Sequence, residues 1–220
     1  MNYREVCLAQ NRRIVSESLA KLTWGNYSII DRSSNLVYIK PTGIDLSSCS
    51  VKQIAVVDLH CNRVDGLKPS VDTKIHLELY KQFLDITSIC HTHSPYAVAY
   101  AQAGMHIEVL GTTHADVSRS SIKNIPVPEE FFSLEADHEF ELGKLIASSS
   151  STDDTAILLR SHGPFVWSKN LDAVDVAIAI EEVAKMAFLT RQLSTDNYTT
   201  NSLREFHWNR KHGSKRSYGQ

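Results

Sequence analysis

Residues 86–104 read ITSICHTHSPYAVAYAQAG, and three transitions within them set the architecture. ITSICHTH has the apolar, partly β-branched character of a short strand. Ser94-Pro95 follows at once: serine is a favoured N-cap and proline a favoured first helical residue, so a helix starts there. That helix runs to about Ala103, and Gly104 supplies a left-handed stop. A strand that feeds directly into a helix belongs to an α/β chain.

On the N-terminal side, residues 4–20 keep helical spacing without a breaker. NYSIID (26–31) and LVYIK (36–40) are strand-like runs across RSSN, which predicts a hairpin. KPTG then turns, IAVVDL (54–59) is a further strand, and CNRVDGLKPS is a polar loop. Asp72 caps a helix to about Phe83, with Ile75, Leu79 and Phe83 on one face. On the C-terminal side, 117–134 is irregular and a helix spans about Leu134–Ala147. SSSSTDD is a surface loop, and AILLRSH is a strand with FVW beside it. The apolar residues of 171–193 recur every 3.6 residues, marking the longest helix. From Asn201 the chain is a basic, polar tail, and around Tyr218, near its end, fraying is the plainer expectation. Strands and helices are interspersed, so the expectation is a single α/β domain over 1–220 with a mixed sheet.

Composition excludes several classes. The 220 residues are 42% hydrophobic and 22% charged, the balance of a globular chain and not of a disordered or fibrous one. The formal charge of −2 gives no general drive toward nucleic acid or anionic membrane. No run approaches a transmembrane helix, and the N-terminus MNYREVCLAQNRR places charges where a signal peptide is apolar, so a cytoplasmic location is expected. The four cysteines form no CxxC and read as reduced thiols. GxGxxG, Walker A, GxSxG and HExxH are all absent.

The chemistry concentrates at turns that follow strands. His91 and His93 are i and i+2, so on a strand both rings leave one face, a suitable start for a metal site. Two polar residues at a strand end would look the same. RSHGP places His162 in a like setting, and a third imidazole would complete a three-ligand set with an open position. Asn26, Lys40-Pro41-Thr42-Gly43 and Lys68-Pro69-Ser70-Val71-Asp72 sit in turns near strand or helix ends. Backbone N–H groups at Gly43, a helix N-terminus near Asp72 and a lysine would cradle an anion; ordinary surface turns are the plainer reading. Asp72 is either an N-cap or a ligand or base beside a metal, and the two are compatible. His114 reads as structural, and Asp116 as a turn cap.

In order along the chain, LTWGNYS, KPTGID, KPSVDT, HTHSPYA, QAG, GTTHAD, RSHGPFVW, EEVA and RKHGSKRSYGQ make the sequence similar to the class II aldolase/adducin-head family. Within it, the resemblance is closest to the bacterial L-ribulose-5-phosphate 4-epimerases. It implies a three-layer α/β/α domain with a central, largely antiparallel sheet, and a homotetramer with active sites between neighbouring subunits. It further implies one divalent metal per subunit, zinc before manganese or cobalt, on His91, His93 and His162 with Asp72 adjacent or ligating. Asn26, Lys40, Thr42, Gly43 and Ser70 match the phosphate cradle; Asp116 matches one acid/base and Tyr218 the other, contributed by a neighbour. Thr112, Glu139, His207 and Arg210 match further residues of the intersubunit site. The implied reaction is a retro-aldol cut between C3 and C4, rotation of the aldehyde, and re-addition to its other face. Val71 departs from the pattern, since the epimerases usually have a second serine there. A fuculose-phosphate type aldolase is the nearest alternative, although such aldolases tend to carry Glu at the position of Asp72. A non-catalytic adducin-head-like binding module shares the fold but lacks the three histidines.

Overall fold

The computed structural model describes residues 1–133, 137–194 and 199–214. In chain order the elements are α1 (Tyr3–Ser16), β1 (Asn26–Asp31), β2 (Leu36–Ile39), β3 (Ala55–Asp58), β4 (Arg63–Asp65), α2 (Thr73–Gln82) and β5 (Ser88–His91). They continue with α3 (Pro95–Ala103), α4 (Thr112–Val117), β6 (Lys123–Ile125), α5 (His138–Ser149), β7 (Ala156–Leu159), β8 (Gly163–Ser168), α6 (Ala173–Leu193) and α7 (Asn201–His212).

The strands form one sheet in the order β4-β3-β2-β1-β5-β8-β7-β6. Every pairing is antiparallel except β6 with β7. Alternation along each strand sends neighbours to opposite faces. Ile30, Ile89 and Phe165 pack with Ile75 and Leu79 of α2 and Leu142 and Ile146 of α5. Tyr27, Ile29, Cys90 and Val166 pack on the other side with residues of α1, α3 and α6. The result is the expected three-layer α/β/α arrangement with a central, largely antiparallel sheet.

This geometry aims several element ends at one place. His91 is two residues beyond Ile89 and therefore shares the α2/α5 face. It stands opposite Asn26 of β1 on one side and Phe165 of β8 on the other. The N-termini of α2 and α5 bring Asp72 and Glu139 to the same end of the sheet.

Several boundaries differ from the sequence expectation. The first helix stops at Ser16, because Ser18 turns left-handed (φ 60°) and Leu19 and Ala20 fold back into the core. The loop after β3 contains β4, and the irregular stretch 117–134 contains β6. GTTHADV forms the short helix α4. AILLRSH ends as a strand at Leu159, which leaves Arg160-Ser161-His162 in the turn to β8. The fifth helix is described from His138, and Leu134 lies outside the described residues. The basic, polar stretch from Asn201 forms a helix through His212: Thr200 caps it, accepting from the Leu203 N–H at 3.2 Å. All four cysteines are free thiols.

Two buried histidines stand apart from the strand-end motifs. His76 is fully buried, its Nδ1 2.7 Å from Ser28 Oγ. His114 is buried, and among the described residues neither ring nitrogen has a hydrogen-bond partner, in keeping with a structural role. Burial pushes both rings down to about 4, Asp72 partly opposing this at His76 and Arg204 adding to it at His114. The unfolded rings titrate near 6.5. Above that pH both states are neutral and nothing changes; as pH falls from about 6.5 toward about 4, the unfolded chain takes up protons that the folded chain refuses. Urea unfolding at pH 7, 5.5 and 4 should therefore show stability falling in that window, by on the order of 3 kcal/mol per histidine. His114→Leu should flatten the decline, and an unchanged slope in that variant would contradict this account.

Candidate active site

The three strand-end histidines converge. His91 Nε2 lies 3.1 Å from His93 Nε2, and one nitrogen from each of His91, His93 and His162 falls within 4.8 Å of the others. The sequence spacing placed His91 and His93 on one face, and the ring centroids stand 4.8 Å apart. His162 arrives from the β7–β8 turn, its ring 4.7 Å from that of His91. Left-handed Ser161 (φ 63°), beside it, is a costly conformation for a residue other than glycine.

His91 is held rigidly. Its ring stacks on Phe165 at 4.3 Å, and its Nδ1 donates to the Pro164 carbonyl at 2.9 Å. That bond fixes the tautomer and turns the Nε2 lone pair toward the other two rings. Gly25 makes the approach possible: it is left-handed (φ 69°), and a Cβ there would press on the His91 carbonyl.

Burial, reinforced by the neighbouring imidazoles, holds His91 well below the ordinary histidine range. His93 is lowered by burial and by His162. His162 is lowered by burial against an opposing pull from Asp72. Neutral rings are the metal-binding form. Two nitrogens on one tetrahedral divalent ion, about 2.1 Å from each, stand roughly 3.4 Å apart. The His91–His93 separation of 3.1 Å is near this value, so the donor chemistry and its orientation fit a divalent cation.

Beside the trio lies a cavity of about 480 Å³. Asn26, Lys40, Thr42, Gly43, Ser70, Val71, Asp72 and Glu139 line it together with His93 and His162. The two Lys-Pro turns are joined by a bridge between Pro41 and Pro69, tied by Thr42 N–H to Lys68 O (3.0 Å) and Ser70 N–H to Lys40 O (2.9 Å). Lys40 is buried and donates to the Thr23 carbonyl at 2.5 Å. Burial pushes its ammonium down, with Asp72 pulling it back up. Among the described residues that carbonyl is its one hydrogen-bond partner, which leaves the buried ammonium donor capacity for an anion.

Asp72 occupies the N-cap position of α2, but its side chain does not cap. It accepts instead from Asn26 Nδ2 at 2.6 Å; that amide also donates to Ser70 Oγ at 3.1 Å. Asp72 is thus beside the imidazole trio and is not one of the three converging donors.

The remaining expected residues gather elsewhere in the chain. Asp116, on α4, accepts from His207 Nδ1 at 3.1 Å and from Arg210 at 3.2 Å, both on α7. His212 Nε2 donates to its backbone carbonyl at 2.9 Å. Burial raises the Asp116 carboxyl, but the Arg210 and His207 bonds outweigh it and keep the group below the usual carboxylate range, ionised and able to accept a proton. Asp116 is therefore more than a turn cap. Thr112 opens the same helix. None of these four lines the cavity of the trio. Tyr218 lies outside the described residues.

A sequence profile of the class II aldolase and adducin N-terminal domain matches residues 5–188. The chain belongs to that family. Among solved structures, the class II fold is shared with an L-fuculose 1-phosphate aldolase, at 25% identity and a TM-score of 0.81 over 93% of each chain. YgbL of Escherichia coli, described as a candidate aldolase/epimerase/decarboxylase, superposes with a TM-score of 0.78 at 22% identity over 93% of this chain and 97% of its own. The L-fuculose-1-phosphate aldolase of Thermus thermophilus gives 0.72 at 18% identity over 90% and 99%. Class II aldolases use a divalent metal, and the His91, His93 and His162 group is the matching feature here. No described helix is long and apolar enough to cross a membrane.

Sequence reasoning missed the groups that support this class II site: the Thr23 carbonyl under Lys40, Phe165 and the Pro164 carbonyl behind His91, and Trp24 5.8 Å from His93. Each directly adjoins a motif already singled out, in LTWGNYS or RSHGPFVW, and that adjacency was the available signal.

Proposed function

We propose that this chain is a cytoplasmic, single-domain, metal-dependent enzyme that interconverts L-ribulose 5-phosphate and D-xylulose 5-phosphate by inversion at C4. The observation that carries this reading is one cavity that joins His93 and His162 of the imidazole trio to a buried lysine and two paired turns. His91, His93 and His162 would hold a divalent ion, zinc in first place, which would act as a Lewis acid for the oxygen charge released when a carbon–carbon bond is cut. Everything else falls to the chain's own groups. C4 bears no acidic hydrogen, so its inversion proceeds by breaking and remaking the C3–C4 bond. Lys40, Asn26, Ser70 and the backbone at Gly43 hold the phosphate while the aldehyde turns. One group takes the C4 hydroxyl proton and a second returns it on the other face. Asp116 and Tyr218 fill these roles, with Thr112, His207 and Arg210 around them, delivered by an adjacent copy within a homotetramer. The separation of Asp116 from the trio within one chain supports that assignment.

Asp72 favours inversion over release of products. Its short side chain is engaged by Asn26 at 2.6 Å, whereas the aldolases tend to carry the longer Glu. The fuculose-phosphate type of aldolase is the second reading, favoured by the L-fuculose 1-phosphate aldolase likeness. The test is to incubate purified protein with L-ribulose 5-phosphate, D-xylulose 5-phosphate and L-fuculose 1-phosphate, with and without chelator. Interconversion of the first two without accumulation of free aldehyde is expected. Aldehyde release from the third, without inversion, would establish the aldolase instead.

A further inference from the structure

The partition that carries His93 and His162 has two sides. Behind the Lys40 cavity, a second one of about 310 Å³ opens between α3, α5 and the β7–β8 turn; His93, His138, Leu142 and His162 border both. Its walls are mixed: Val98, Val127, Phe132, Leu142 and Leu159 are apolar, and Gln102, Arg160 and Ser161 join the histidines as polar groups. His138, the first residue of α5, is oriented by its Nδ1, which donates to the Phe131 carbonyl at 3.0 Å. Its Nε2 is thereby left as an acceptor, and among the described residues the Phe131 contact is its ring's one hydrogen bond. Arg160 lies across Gly104, where any Cβ would collide with the guanidinium. Among the described residues no carboxylate pairs with it.

We infer that this second cavity receives the non-phosphorylated, hydroxyl-bearing end of the sugar, with His138 accepting and Arg160 donating the hydrogen bonds that set specificity there. The inference rests on the phosphosugar reading above. A substrate anchored at Lys40, with its reacting carbons at the trio, directs its other end toward His93, His138 and His162, which also border the second cavity. A hydroxyl both donates and accepts, which an acceptor nitrogen and a guanidinium lining the same cavity satisfy; a carboxylate would call for donors alone. The apolar remainder of the wall covers carbon skeleton, the usual build of a small-molecule site.

The test is calorimetric binding of L-ribulose 5-phosphate and of inorganic phosphate to the metal-loaded protein, comparing wild type with His138→Phe, His138→Gln and Arg160→Met. Phosphate reads the Lys40 side alone. His138→Phe and Arg160→Met should each weaken the pentulose phosphate roughly tenfold relative to phosphate, the scale of one lost hydrogen bond, and Arg160→Met, which borders the second cavity alone, should leave phosphate binding unchanged. His138→Gln, which keeps an acceptor, should recover part of the loss. An unchanged ratio in both variants, equal losses for both ligands, or a fall in melting temperature with the ratio intact would overturn the inference. A wild type that binds the sugar with this pattern but does not invert it would refute the epimerase reading and leave the second cavity's role standing.

Discussion

His162→Ala should lower interconversion of the pentulose phosphates by about a thousandfold or more, because it removes one of three neutral donors and with it most of the several kcal/mol a Lewis acid contributes to the transition state. The turn that carries His162 lies at the surface end of β7, so the variant should keep its fold and circular dichroism. Elemental analysis should show the divalent metal content of the purified protein falling together with activity. Chelation of the wild type should reproduce the loss, and zinc, manganese or cobalt should restore it. Activity that persists after verified removal of the metal would eliminate the role given to the trio. A wild type without metal would point to a binding module of the adducin-head kind.

Asp116→Asn should cut inversion by about 10²–10⁴-fold, the range for loss of an acid/base group, with little change in substrate affinity. The informative experiment mixes this variant with His162→Ala. Asp116 is bonded to α7 and lines no part of the cavity beside His93 and His162. If each site takes its trio from one copy and Asp116 from the next, random reassembly of two inactive proteins regenerates about a quarter of the sites with both intact. Recovery of activity on mixing is expected. A mixture that stays inactive, while each protein assembles normally, would mean that the reaction is confined to one copy or that Asp116 does not act in it.

The parts of this molecule that were legible in the sequence are those whose signal is local. ITSICHTHSP announces a strand, a cap and a helix within ten residues, and the i, i+2 spacing of His91 and His93 survives even though the strand ends at His91. His162 was legible by analogy, as a second histidine at a strand end. What was not legible depends on partners far along the chain. Nothing in KPTG or KPSVDT says that Pro41 bridges Pro69. The engagement of Asp72 by Asn26, 46 residues away, displaces the helix-capping role that its position suggests. The helix Asn201–His212 was missed for a different reason. It has no buried residue, so it shows no apolar stripe to read, and it is tied down by polar contacts to Asp116. The short strands β4 and β6, three residues each, are too brief for periodicity to register.

The three imidazoles are not mounted alike. His91 belongs to the sheet, clamped between a ladder partner and a carbonyl; His93 and His162 hang from turns just beyond strand ends. Ions of different radius ask for different bond lengths, and the sheet cannot yield to them. Any accommodation must come from the two pendant arms, so the choice of metal in this scaffold is open to adjustment in the short stretches 92–94 and 160–162 without disturbing a single strand register.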